Sequence, residues 1–192
     1  MSGSKTPIGE SNLTETRIEG EVVFKGKLLD VRRDTVRLPD GKTGTREYIV
    51  HPGAVLIVPV LADGRLVMLR QFRYPVNRVM IEFPAGKLDP GESPLATGRR
   101  ELREEAGYEA SHWHPLGRIH SVVGYSTEAI EFYVAEGLTH VGAALDDGEF
   151  LEIGTMSLDE MLAALDRGEI TDAKTAAALL LYARRGVQRS GK

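Results

Sequence analysis

From Glu21 to about Phe83 the chain reads almost continuously as β-strand, broken only by short glycine- and proline-bearing stretches. "EVVFKGKLLDVRRDTVRL" alternates apolar and polar residues, "PDGKTG" supplies turn chemistry, and "TREYIVHPGAVLIVPVL" resumes a β-branched run. "ADG" at 62–64 predicts a hairpin into "RLVMLRQFRY". A short strand, "VMIEF", then gives way to the loop "PAGKLDPGE". Pro94 suits a first helical turn with Ser93 as N-cap, and the helix should run to about Ala106 with Gly107 as its C-cap. Strands return at about 113–120 and 129–135, and again at "FLEIGTM". "SLDE" at 157–160 is a capping box for one helix, and Thr171 is the expected cap of the last. The order of strands, helix, strands and helices predicts an α/β (α+β) fold: a mixed β-sheet sandwich with helices packed on the sheet, plus an N-terminal antiparallel β segment.

The chain has 192 residues, enough for one domain with a small terminal subdomain. We read residues 1–17 as a disordered tail, 18–50 as a β subdomain, and 51–188 as the main domain. With 24 Lys+Arg against 28 Asp+Glu the formal charge is −4, which argues against broad nucleic-acid or membrane-surface binding. No cysteine is present, so disulfides and thiolate metal sites are excluded. The polar start has no apolar secretion signal, and no apolar run approaches the roughly 20 residues that span a bilayer. The expected location is cytoplasmic.

One stretch is unusual in its charge. "RRELREEAGY" places Glu101, Glu104 and Glu105 within five positions, immediately after a turn rich in glycine and proline. On a helix all three share an arc of roughly 100°, beside the face that carries Leu95, Leu102 and Ala106. Two readings compete. A solvated helix face accounts for many such clusters, and Arg100 can pair with Glu104 at i,i+4. A metal site accounts for the repulsion that like charges bring, because clustered carboxylate oxygens are what Mg²⁺ or Mn²⁺ prefers.

The stretch matches the Nudix box, G-x5-E-x7-R-E-U-x-E-E-x-G-U with U aliphatic or aromatic, at Gly86, Glu92, Arg100, Glu101, Leu102, Glu104, Glu105, Gly107 and Tyr108. The chain thus resembles the Nudix hydrolases, and the resemblance favours the metal site. It implies hydrolysis of a nucleoside diphosphate linked to another moiety, with divalent metal as cofactor. It also implies that Glu101, Glu105 and the carbonyl of Ala85 are metal ligands, with Glu104 beside them among the catalytic acids. Glu92 and Arg100 take structural roles that orient the loop and the acids, while Gly86 and Gly107 relieve the backbone.

Beyond the box, "LRQFRYPVNRVMIEFPAGKLDPGE" is similar to the ADP-ribose pyrophosphatases and related nucleoside-diphosphate-sugar hydrolases. In that branch an acidic loop before the final strand supplies the general base, which points to Glu149 first and Asp147 second in "DDGEF". Arg70 and Arg73 are candidates for gripping phosphate, and Glu82 and Glu128 for lining the substrate site. His112 and His114 are read as surface residues, since hard oxygen ligands already account for a metal. The same resemblance implies a homodimer built with the N-terminal strands.

One departure bears on the substrate. Many ADP-ribose-type members carry a proline about fifteen residues beyond the box, where this chain has Val123 before Gly124 and Tyr125. The expected reaction is hydrolysis of ADP-ribose or another sugar nucleotide. The alternatives are GDP-mannose, a dinucleoside polyphosphate, or a non-catalytic nucleotide-sugar sensor.

Overall fold

The structure is a computed structural model that describes residues 13–145, 148 and 150–189. It divides into two compact units.

The first unit holds the chain up to His51 together with Val122–Thr127. Strands β1 (Thr16–Lys25), β2 (Asp30–Arg37) and β3 (Thr43–Ile49) form an antiparallel sheet in the order β1-β2-β3. The turn between β2 and β3 closes where the Gly41 N–H donates to the carbonyl of Leu38, with Gly41 at φ +84°. The strand β1 starts at Thr16, two residues inside the segment read as tail, and every one of its residues is exposed. Asp34 is buried on β2, where its Oδ2 accepts from the Tyr48 hydroxyl at 2.9 Å and from Arg17 Nε at 3.0 Å. Val122–Thr127 joins this unit through the Ile49 N–H, which donates to the carbonyl of Tyr125, and through a parallel bridge between Ile49 and Ser126.

The second unit begins with β4 (Ala54–Pro59), whose six residues are all buried. Such an uninterrupted apolar run needs cover on both faces, and it receives it. Strand β4 lies in the sheet β7-β4-β9-β8, between β7 (Ala85–Lys87) and β9 (Ile130–His140), with β8 (Tyr108–Ile119) at the far edge. The pairing of β4 with β9 is parallel, and the others are antiparallel. A second sheet, β10-β5-β6, is formed by β5 (Leu66–Arg73), β6 (Arg78–Glu82) and β10 (Leu151–Met156).

Helix α1 (Pro94–Ala106) covers one face, where Leu102 and Ala106 join Val55, Ile57, Val67 and Leu69 in one core cluster. Helices α2 (Leu158–Asp166) and α3 (Ala173–Arg189) cover the other, where Met161, Ala164 and Leu179 join Leu56, Val58 and Phe132. Period-2 alternation along β4 and β5 thus feeds two cores at once. Helix α1 has the expected limits: Ser93 Oγ accepts from the Ala96 N–H, and Gly107 ends the helix in the left-handed conformation. The capping box of α2 is also present, with Ser157 and Glu160 each accepting from the other's backbone N–H. Among the described residues no helix is long and apolar enough to cross a membrane.

Three local expectations need correction. The "ADG" turn exists, with the Gly64 N–H donating to the carbonyl of Leu61, but β4 and β5 are not a hairpin. Beyond one bridge between Val60 and Leu66 they enter different sheets, because β4 needs neighbours on both edges and finds them in β7 and β9. The last helix is capped by Asp172, whose Oδ2 accepts from the Thr175 N–H at 3.0 Å, while Thr171 faces the sulfur of Met80. A carboxylate there meets the N–H groups and the helix dipole together. Strand β8 also begins well before its expected limit, because the polar residues of "EASHWH" sit on an edge strand where alternate side chains meet solvent, and β9 runs on to His140 in register with it.

Leu102 is fully buried at the contact of α1 with the sheet. Leu102→Ala should cost about 2–5 kcal/mol of stability, measured by denaturant unfolding, with the folded-state spectrum retained.

Candidate active site

The acids of α1 are organised by one guanidinium. Arg100 Nη1 donates to Glu101 at 2.7 Å and to Glu104 at 3.1 Å. Its Nε and Nη2 reach Glu92 at 3.3 and 3.0 Å, and Nη2 also reaches the carbonyl of Lys87 at 3.3 Å. One planar fork therefore ties the loop before the helix to two acids on it, which offsets the repulsion between them. Hydrogen bonds from Arg100 and from the Thr97 hydroxyl pull the Glu92 carboxyl down to about 2, and the same contacts hold Arg100 well above its ordinary value.

Strand β7 supplies the other wall. Glu105 is buried, and its Oε2 accepts from the Ala85 N–H at 2.9 Å. At the next residue, a Cβ on Gly86 would fall 1.8 Å from Glu101 Oε1, so only glycine lets that carboxylate approach the strand. Two successive residues of β7 thus seat two acids of α1. Gly107 has a comparable reason to be glycine: its φ is +73°, and a Cβ would lie 2.6 Å from the nitrogen of Ala143. The segment after β9 docks there, since the Val141 N–H donates to the carbonyl of Gly107 and the Ala144 N–H to that of Glu104. The loop expected to carry the base therefore leaves from the C-terminal end of the acid-bearing helix. Asp147 and Glu149 themselves lie outside the described residues.

A second charged cluster lies at the end of β6. Glu82 is 3% exposed, and Arg73 forks onto it with Nε to Oε1 at 2.7 Å and Nη2 to Oε2 at 2.8 Å. Lys174 of α3 also donates to Glu82 Oε2, and to Asp172 at 3.0 Å. Burial pushes the Glu82 carboxyl up, but the bonds and charges of Arg73 and Lys174 outweigh it and leave the group below its ordinary value. Hydrogen bonding to Glu82 raises the Arg73 guanidinium, and the charge of Glu105 acts on it in the same direction.

The remaining candidates are spread more widely. Arg70 pairs across strands with Glu152 at 2.7 Å on the exposed side of β5, where with Phe72 and Phe150 it borders a cavity of about 320 Å³. The structure shows no bond from Arg70 to the acids of α1 among the described residues. Glu128, just before β9, accepts from the Ser121 hydroxyl. A larger cavity, about 660 Å³, opens beside Glu104 and is lined in part by Arg99, Arg103, Trp113 and Ala144. His112 is exposed and His114 pairs with Glu136 at 3.3 Å, as surface positions would.

Sequence reasoning missed Lys174 and Asp172. A signal was available, because Lys174 stands at the second position of α3, where the helix dipole disfavours a cation. A lysine there needs an acidic partner, and it has two.

The donor chemistry of the α1 cluster fits a hard divalent cation, since carboxylate oxygens from successive turns border one strand and Gly86 makes room for one of them. Among the described residues no three acidic or histidine side chains converge into a finished metal cage. Arg100 instead draws Glu101 and Glu104 toward itself, and Glu105 turns to the Ala85 N–H.

A fold that seats an arginine-bound acid cluster on a helix offers carboxylate oxygens to a hard cation, and comparison with known proteins narrows the class. The NUDIX domain matches residues 50–179, and the nucleoside diphosphate sugar hydrolase N-terminal domain matches residues 15–49. The ADP-ribose pyrophosphatase of Bacillus subtilis (strain 168) is 38% identical over 170 residues, covering 88% of this chain and 92% of its own. The methanol dehydrogenase activator of Bacillus methanolicus is 38% identical over 167 residues, covering 86% and 90%. A crystal structure of an ADP compounds hydrolase matches with a TM-score of 0.81 at 26% identity, covering 92% of this chain and 96% of that one. The chain belongs to the Nudix hydrolases, a family that uses divalent metal ions.

The depressed carboxyl of Glu92 contributes stability that is present above its ordinary value of 4.5 and is lost as pH falls from there to about 2. Thermal melts across that window should fall more steeply for the wild type than for Glu92→Gln, and the two curves should draw together at its acid end.

Proposed function

We propose that this enzyme hydrolyses the pyrophosphate linkage of ADP-ribose or a related nucleoside diphosphate sugar, releasing a nucleoside monophosphate and a sugar phosphate. The observation that carries the reading is the complete acid set of α1, seated on β7 and bound by Arg100. The names of the Bacillus subtilis relative and of the matching crystal structure support an ADP-containing substrate.

Glu101, Glu105 and the carbonyl of Ala85 would hold Mg²⁺ or Mn²⁺, with Glu104 beside them. When bound, the metal neutralises charge on the phosphate oxygens and acidifies the attacking water. Glu149, or Asp147 in its place, accepts the proton of that water. Arg73 grips a phosphate through Nη1, which lies outside its fork on Glu82. Arg70 and Glu128 line the path of the substrate. Val123 stands where a proline is common in ADP-ribose-type members and is 80% exposed, which keeps other sugar nucleotides, GDP-mannose among them, within the reading.

Two copies pair through the N-terminal unit. The support is β1, an edge strand whose Ile18, Val22, Val23 and Phe24 are all exposed on the single chain. Light scattering at micromolar concentration should give a dimer, and a fully active monomer would overturn this part.

With Mg²⁺ or Mn²⁺ present, a panel of sugar nucleotides should be turned over faster than nucleoside triphosphates, read as phosphate released after phosphatase treatment. Glu105→Gln should slow turnover on the order of 10²-fold or more and weaken metal binding. Glu149→Gln should slow turnover with metal affinity nearly unchanged. Faster turnover of ATP than of every sugar nucleotide would reject the substrate class, and a Glu105→Gln enzyme with wild-type turnover and metal affinity would reject the site.

A further inference from the structure

We propose that Lys174 is a positioning residue for the reaction, acting through Glu82 on the guanidinium of Arg73. The inference rests on the reading that Arg73 grips a substrate phosphate, and it extends the working site to the first turn of the last helix.

Four charged groups alternate in sign along one chain of contacts. Arg73 forks onto Glu82, Glu82 accepts from Lys174, and Lys174 donates to Asp172. The Glu82 side chain is almost wholly buried and that of Lys174 is 18% exposed, whereas that of Arg73 is 41% exposed. The buried end is therefore fixed, and the exposed end is the one that can meet a ligand.

A bidentate arginine alone would satisfy a buried glutamate. It would also spend much of the arginine's charge on that partner. Lys174 changes the balance, because Glu82 Oε2 is shared between the ammonium and Arg73 Nη2. With a second cation on Glu82, the guanidinium keeps more of its positive potential for an anion arriving from solvent. It also keeps its orientation, since Glu82 is held from behind.

The position of Lys174 calls for acidic partners. A cation in the first turn opposes the helix dipole. Asp172 offsets that by capping the helix and pairing with Lys174 at once. The register is fixed independently: Thr175 Oγ1 accepts from the Phe83 N–H at 3.1 Å, so the residue after Lys174 is joined to the residue after Glu82. The attachment sits just upstream of Ala85, which Glu105 holds.

The test is steady-state hydrolysis of ADP-ribose with Mg²⁺ by the full chain, comparing wild type, Lys174→Met, Lys174→Arg, Arg73→Ala and the Arg73→Ala/Lys174→Met double variant. Lys174→Met should raise KM about tenfold, the effect of losing one ionic hydrogen bond's worth of binding, with kcat changed less than about threefold. Lys174→Arg should restore KM to within about twofold of wild type. In the Arg73→Ala background Lys174→Met should add nothing further, because both act through the same contact. If Lys174→Met fails to fold, judged by its melt, Lys174→Gln replaces it and should show the same rise. Wild-type KM in the folded variant, or additive effects in the double variant, would overturn the inference alone. An Arg73→Ala enzyme with wild-type KM, or a wild type inert toward ADP-ribose, would instead sink the reading beneath it, and the inference with it.

Discussion

The site depends on a single arginine that accepts the cost of crowding acids. Arg100 meets Glu92, Glu101 and Glu104 with three different nitrogens, so the loop, the first turns of α1 and the acid face are fixed relative to one another. Replaced by lysine, the same position would offer a point charge where a planar fork is needed. The apolar side of α1 presses Leu102 and Ala106 into the core, so the helix cannot rotate to relieve its charged side. Packing and electrostatics thus constrain the same thirteen residues from opposite faces.

The glycines of the motif follow from this. Gly86 admits Glu101 to the strand, and Gly107 both ends the helix and admits the segment that follows β9. Neither reason is visible in α1 alone. Each arises where a second element comes within contact distance of the first.

How much was legible in the sequence follows the same division. The limits of α1 and the capping box of α2 were readable because their causes lie within a few residues, in Ser93, Gly107, Ser157 and Glu160. The acid cluster was readable because helical spacing and a fixed-position motif coincide. The separation of β4 and β5 into different sheets was not, because local turn chemistry at "ADG" is the same for a hairpin and for a strand that crosses to another sheet. Lys174 was legible only in part: a cation in the first turn of a helix calls for an acidic partner, but nothing near "DAK" says that one of its two partners is Glu82, far away in the chain. The pairing of Arg73 with Glu82 was half legible. Both residues were named as candidates, but their contact was not.

The placement of β10 and α3 bears on the order in which a growing chain becomes competent. β5 emerges early, yet one of its edges is closed only by β10, and the buried carboxylate of Glu82 waits for an ammonium on the last helix. Until those segments leave the ribosome, β5 exposes an unpaired edge and Glu82 lacks one of its two cations. The early part of the chain therefore carries the acids of the candidate site without the scaffold that orients their neighbours, so the finished cluster is a product of late synthesis and long-range closure.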